Sequence, residues 1–300
     1  VAFARIDTPF GNADKVGGGA ATYISLAASF FLDKVGLVSV VGDDFPPEVM
    51  KMLQSRGVDL SGLEILKGKE SFFWAGRYHY DMNTRDTLET RLNVLMELDP
   101  KLTPAFRAAP YLMLGNLDPR VQARVLDQME APSLVVLDTM NYWMDSALHL
   151  LREVIGRVDI LTINDAEARQ LSGEHSLVKA AHKILEMGPK HLVVKKGEHG
   201  AFLFSEGRVF FAPAHPLEDI VDPTGAGDTF AGGFIGYLAR TQDHSFDNLK
   251  RAIIIGSALA SFCCEKFGIQ RLLEIKREDI DHRIQEFVDL VDFDIELVQE

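Results

Sequence analysis

The sequence predicts an α/β fold, a mostly parallel central sheet covered by helices on both faces with a small β lid. Short β-branched and aliphatic runs at Gly36–Val41, Tyr111–Gly115, Leu134–Asp138, Val158–Ile163 and His191–Lys195 read as strands. Stretches of helical period lie between them, at Ala20–Phe31, Pro46–Arg56, Arg120–Met129, Ala147–Ile155 and Leu177–Met187. The third observation is an interruption of this alternation. Ser71–Tyr80 and Thr87–Leu98 read as two alternating strands joined by Asp81–Asp86, where a short crossover would suffice. Such an inserted hairpin reads as a flap over a crevice or a dimer contact, and its aromatic residues as packing or as contacts to a substrate or partner.

In a parallel sheet of this kind, ligands bind outside the carboxyl ends of the strands. Asn116, Asp138 and Asn164 follow or end predicted strands and are candidates for that crevice, with helix capping as the plainer role. At the start, Val1-Ala-Phe reads as the second half of a strand. From Arg277 onward the pattern is an acidic amphipathic helix with a solvated outer face.

Composition narrows the partners. The net charge is -13 and no basic stretch stands out, which argues against nucleic acid. A nucleotide stays open, because a small anion is held by local geometry rather than by net charge. The only cysteines, Cys263 and Cys264, are adjacent in an apolar segment and read as reduced core residues. No apolar run is long enough for a membrane span and no export signal is evident, so a cytoplasmic protein is expected.

The richest chemistry lies in Asp222-Pro-Thr-Gly-Ala-Gly-Asp228, which leads into an apolar stretch with small residues at helical spacing. Gly225, Ala226 and Gly227 permit a tight turn whose backbone N–H groups point one way. A helix starting there adds its dipole, giving a pocket for a phosphoryl group in flight. Asp228 beside that pocket can take the proton of an attacking hydroxyl. Its plainer role is an N-cap.

The whole string Asp222–Phe234 resembles the C-terminal signature of the ribokinase/PfkB carbohydrate kinase family, with Pro223 where the family usually has Thr. Other landmarks follow in the right order. Asn164-Asp-Ala-Glu167 resembles the Asn-x-x-Glu motif, which implies that Asn164 and Glu167 organise Mg²⁺, partly through water. Val193–Gly200 resembles the strand and glycine turn beside the nucleotide phosphates, placing Lys195, Gly197 and Gly200 there. Gly256–Gly268 resembles the helix walling the adenine pocket, with Ser257 at a position often held by Asn. Gly17-Gly-Gly-Ala-Ala-Thr-Tyr23 resembles the Gly-Gly signature of the sugar site, and its spacing is not that of a dinucleotide fingerprint.

The resemblance implies a ribokinase-like three-layer αβα sandwich forming one domain over 1–300. Its lid is expected at roughly 5–16 and 70–98 and its nucleotide-binding part at roughly 160–270, within the usual domain size. It implies ATP and Mg²⁺, and K⁺ at a monovalent-cation site involving Asp222 and Thr224. Gly18, Gly19, Tyr23 and Asn116 are the substrate-side candidates, and a homodimer through the lid is implied. The resemblance implies a sugar or sugar-like acceptor, but Ala4 and Tyr23 stand where the family commonly has Asp and Asn that bond sugar hydroxyls, which argues against simple ribose or fructose. A nucleoside is the alternative, with Tyr23 and the flap aromatics stacking its base. A non-catalytic ligand sensor is the alternative of another class.

Overall fold

The computed structural model describes residues 1–292. It opens with strands β1 (Ala2–Thr8) and β2 (Gly11–Gly18), then helix α1 (Ala20–Ala28), β3 (Val35–Gly42), α2 (Pro47–Ser55) and β4 (Val58–Leu66). Strands β5 (Phe73–Tyr78) and β6 (Arg85–Arg91) precede a 3-10 turn, Asn93–Glu97, and α3 (Pro104–Arg107). Alternation then resumes with β7 (Tyr111–Leu114), α4 (Pro119–Gln128), β8 (Leu134–Asp138), α5 (Asn141–Ser146), α6 (Leu148–Ile155) and β9 (Ile160–Asn164). Helices α7 (Asp165–Ser172) and α8 (Leu177–Leu185) lead to β10 (His191–Lys195), β11 (Ala201–Ser205) and β12 (Arg208–Ala212). Four helices follow: α9 (Ala226–Thr241), α10 (Phe246–Cys264), α11 (Gln270–Glu274) and α12 (Arg277–Val291).

The six-stranded sheet runs β12-β11-β10-β9-β8-β7, with β7 to β10 parallel and β11 and β12 antiparallel. Strands β8, β9 and β10 are buried on both faces, and side-chain alternation sorts the core into two layers. Val135, Leu137, Leu161 and Ile163 pack with Leu151, Val154, Ile155 and Ile184 on one face. Leu134, Val136, Ile160 and Val193 pack with Phe230, Phe234, Leu249 and Ile253 of α9 and α10 on the other. Each such aliphatic or aromatic side chain removed from water contributes about 1.5–3 kcal/mol, so this double layer fixes the strand ends as a rigid platform.

Helix α9 also packs closely on α1. A Cβ on Gly232 would lie 2.8 Å from that of Ala27, so the absence of a side chain there lets the two backbones meet. Strands β3 and β4 form a separate parallel pair. The remaining four strands form a sheet in the order β2-β1-β5-β6, the small β layer expected from the hairpin. Its inner face carries Ala4, Ile6, Trp74, Tyr78 and Met82, packed against Ile220 and Phe267 of the main body.

One expectation needs correction. The flap's second strand stops at Arg91, because Asn93 adopts φ 46° and its side chain donates to the Ser71 carbonyl, turning the chain into the 3-10 segment. The amphipathic helix expected from Arg277 forms, burying Ile280 and Phe287 on its inner side. The rest of that predicted helix, residues 293–300, lies outside the described residues. Cys263 and Cys264 are both free thiols, with Cys263 buried. Among the described residues no helix is long and apolar enough to cross a membrane.

Candidate active site

The carboxyl ends of β8, β9 and β10 present Asp138, Asn164 and Lys195, and the N-terminus of α9 faces them. Gly225 is the N-cap of α9 at φ 83° and ψ 0°, a left-handed conformation that penalises any residue with a Cβ. An added Cβ would lie 2.5 Å from Cε2 and 2.6 Å from Cε1 of Tyr23. Tyr23 is thus the buried support under the turn, 2% exposed, and its ring is not open to a ligand. This removes it as a stacking surface: α1 directs the side chain into the core rather than into the crevice.

The turn bond from Ala226 N–H to the Pro223 carbonyl and the first helical bond from Thr229 N–H to the Gly225 carbonyl are formed. The amides of Gly225, Gly227 and Asp228 find no acceptor among the described residues. A helix N-terminus leaves such donors unsatisfied, and here they cluster with the helix dipole behind them. The arrangement suits an anion.

Asp228 lies in the first turn of α9. Burial first, then the Asp138 carboxylate, push it up to about 7, while Lys195 and Arg85 pull the other way. Asp138 is buried, accepts from Lys195 Nζ at 2.9 Å and from Thr162 Oγ1 at 3.1 Å, and so joins β8 to β9 and β10. Burial acts to lower Lys195, but Asp138 and Glu167 outweigh it and hold the ammonium above its usual range. A Cβ on Gly227 would sit 3.3 Å from Lys195 Nζ, so this charge lies against the anion turn. Lys195 is therefore a paired, mostly buried cation rather than a solvated strand end.

Asn164 and Glu167 form a complete capping box. The Asn164 side chain accepts from Glu167 N–H, and Glu167 Oε2 accepts from Asn164 N–H, each at 2.8 Å. The capping role is therefore real, and it leaves Glu167 Oε1 with no donor among the described residues. Burial, then Asp138, raise the Glu167 carboxyl to about 7, with Lys195 and the Asn164 amide opposing. No group of three or more His, Cys, Asp or Glu among the described residues forms a metal cage. One spare carboxylate oxygen does fit Mg²⁺, which keeps its waters and is usually held by one or two carboxylates with substrate phosphates.

Asp222 is fully buried and both its oxygens are engaged, Oδ1 by Thr224 N–H at 2.8 Å and Oδ2 by Gly268 N–H at 2.9 Å. It ties the anion turn to the loop after α10. Thr224 donates its hydroxyl to Tyr78 Oη at 3.2 Å, joining the turn to the lid. Gly197 and Gly200 bound the turn after β10, closed by Lys196 N–H to the Gly200 carbonyl at 2.8 Å. Ser257 is half-buried on α10, next to Gly256, which packs on Phe230, and it makes no side-chain hydrogen bond among the described residues.

On the acceptor side, Gly18 ends β2 and Gly19 is the N-cap of α1. Asn116 follows β7 and is committed at both ends of its amide, accepting from Trp143 Nε1 at 3.0 Å and donating to Met140 Sδ at 3.0 Å. It braces β7 against α5, while Asp118 caps α4. Asp138 joins the site as its place at a strand end led one to expect, and two residues join it without having been singled out: Tyr78 and Arg85. A polar residue at a strand end was the available signal for Asp138. The register that brings the lid residues in is not written in the sequence.

Residues 9–276 match the model of the pfkB family carbohydrate kinases. The chain is 30% identical to a cytidine kinase of Thermococcus kodakarensis over 89% of this chain and 96% of that protein. It is 30% identical to a nucleoside kinase of Methanothermobacter thermautotrophicus over 84% of this chain and 80% of that one. The fold is shared with the nucleoside kinase of Methanocaldococcus jannaschii, an archaeal ribokinase-family member, with a TM-score of 0.75, 21% identity and 95% of both chains covered. It is also shared with the Burkholderia thailandensis nucleoside kinase in complex with inosine, with a TM-score of 0.76, 18% identity and 96% of both chains covered. With the ribokinase-like layers and an anion turn at the head of α9, these matches establish that the chain belongs to the pfkB carbohydrate kinase family, phosphotransferases that use a hydroxyl as acceptor.

Proposed function

We propose that this protein transfers the γ-phosphoryl group of Mg·ATP to a hydroxyl on the ribose of a nucleoside, with Asp228 as general base. The observation that carries the reading is the joint placement of Asp228 and three acceptor-free amides at the head of α9. A carboxyl raised to about 7 takes a proton readily near neutral pH. The amides of Gly225, Gly227 and Asp228, with Lys195, face the charge that develops on the phosphoryl oxygens. Ala226 holds their spacing as the first residue of α9.

Bound Mg²⁺ neutralises phosphate charge, and Glu167 Oε1 would hold it through water, with Asn164 fixing Glu167. The turn Gly197–Gly200 and Thr224 border the nucleotide, and Ser257 lies on the helix walling the adenine. Asp222 ties the anion turn to the loop after α10 through one amide on each oxygen, and its remaining lone pairs, with Thr224, would hold the K⁺ ion. Gly18 and Gly19 border the acceptor at the junction of lid and α1, and Asn116 braces the wall behind it. The nucleoside assignment draws on the cytidine and nucleoside kinases among the relatives. With Tyr23 buried its ring offers no stacking face to a base, and Trp74 on the lid's inner face carries the Arg85 guanidinium.

ADP release from Mg·ATP, measured across cytidine, adenosine, ribose and fructose, tests this. Turnover with a nucleoside well above that with free sugars is expected. Turnover with sugars alone would overturn the acceptor assignment. Silence across the panel despite measurable ATP binding would leave a ligand sensor.

A further inference from the structure

The lid brings one charged side chain to the site that no step above uses. Arg85 opens β6 and is the cross-strand partner of Tyr78, and directly opposed residues of an antiparallel pair project on the same face. That face meets the anion turn, because the Tyr78 hydroxyl accepts from Thr224 Oγ1 at 3.2 Å. Two residues before Arg85, Asn83 Nδ2 donates to Glu198 Oε1 at 3.1 Å, so the hairpin tip rests on the Gly197–Gly200 turn. Arg85 therefore lies between two docked points. It is poised over the space separating the head of α9 from the glycine turn, the space that Lys195 enters from below.

Its environment differs from that of its neighbours. Arg5, Arg77 and Arg91 of the same sheet are each paired with carboxylates. Arg85 has no ion-pair partner among the described residues, and its guanidinium instead sits 5.5 Å from the ring centroid of Trp74. A planar guanidinium held on an aromatic face keeps its fork of N–H donors free for a phosphate. The body contributes carboxylates here, Asp138, Glu167 and Asp228, and one cation, Lys195, already committed to Asp138.

We propose that Arg85 is a lid-borne catalytic residue whose guanidinium contacts the γ-phosphoryl group during transfer, opposite the α9 amides and Lys195. This rests on the phosphotransfer reading above. It also couples closure to chemistry, because Arg85 is in place only while Tyr78 and Asn83 are docked. No bond is made or broken by Arg85. It stabilises the charge that passes from the ATP γ-phosphate to the acceptor oxygen as Asp228 takes the hydroxyl proton and ADP leaves.

The test compares wild type with Arg85→Ala, Arg85→Gln and Arg85→Lys, using Mg·ATP and cytidine. The expected result for Arg85→Ala is a fall in kcat of about 10²-fold, the loss typical of one transition-state donor, with the cytidine KM nearly unchanged. Arg85→Lys is expected to recover about tenfold of that, a point charge without the fork. A second arm measures binding of Mg·ADP with and without aluminium fluoride. Arg85→Ala is expected to weaken the fluoride complex at least about tenfold more than ADP alone, since transition-state analogues register such contacts. A kcat within about threefold of wild type, or a loss confined to the cytidine KM with the fluoride complex unaffected, would overturn the proposal. An inactive wild type would count against the phosphotransfer reading alone, because the fluoride arm needs no acceptor and still judges Arg85. The side chain is exposed, so melting of the variants at the wild-type temperature is expected and separates loss of contact from loss of fold.

Discussion

Replacing Gly225 by Ala perturbs the anion turn at its tightest point, and the structure gives two separable costs. A non-glycine residue at φ 83° costs roughly 1–2 kcal/mol. The new Cβ would also enter the Tyr23 ring, 2.5 Å from Cε2, in a buried cluster with Leu26, Leu259 and Phe262. Overpacking of that kind costs about 1–3 kcal/mol, so the sum is about 2–5 kcal/mol. Against a typical domain stability of about 5–15 kcal/mol, this is a large shift in the denaturant midpoint at constant slope. Turnover is expected to fall about 100-fold, because displacing the amides by an ångström misplaces the charge-stabilising groups. The companion variant Tyr23→Leu opens space under the turn. In the double-mutant cycle it is expected to return about 1–2 kcal/mol relative to additivity. A Gly225→Ala protein that melts and turns over like wild type would refute the reasoning about the turn. Strict additivity with Tyr23→Leu would refute the supporting role of the ring.

Asp138→Asn removes a negative charge beside Asp228 and releases Lys195, and both changes favour the ionised base. In wild type the acid limb of kcat/KM is expected to rise through about pH 7, and in the variant it is expected to move down by roughly one unit. The same raised carboxyl means that the folded chain binds more protons than the unfolded one between about pH 4 and 7. Its contribution therefore lowers wild-type stability as pH rises through that window, which titration of the denaturant midpoint reads directly. Glu167→Gln is expected to cost about 1 kcal/mol or less in melts, since the amide can still accept from Asn164 N–H. It is expected to raise the Mg²⁺ concentration for half-maximal turnover about 10–100-fold. An unchanged Mg²⁺ dependence would confine Glu167 to capping.

Much of the fold was legible because the strands β7 to β10 are continuous apolar runs of the length that a sheet buried on both faces requires. The Asp222–Asp228 string was legible because its chemistry depends on local backbone geometry. Where contacts span distant segments, the sequence was silent. Asp138 and Lys195 lie 57 positions apart on strands separated by β9, and only the sheet order brings them to 2.9 Å. Tyr23 was misplaced as a ligand surface because a helical tyrosine after a glycine run carries no sign of which neighbour covers it. The extension of the flap to Leu98 failed at Asn93, where a left-handed residue ends the strand despite the apolar residues that follow. Arg85 was hidden inside a predicted turn, since its facing depends on the pairing of Arg85 with Tyr78.

Phosphoryl transfer in this site turns on Asp228 as the group that takes the proton. Its most direct test is single-turnover transfer from labelled ATP to cytidine by Asp228→Asn, alongside calorimetric binding of Mg·ATP. Loss of a positioned general base is expected to slow transfer by about 10²–10⁴-fold while ATP binding stays within a few-fold of wild type. Transfer at a near-normal rate by the Asp228→Asn variant would contradict the claim.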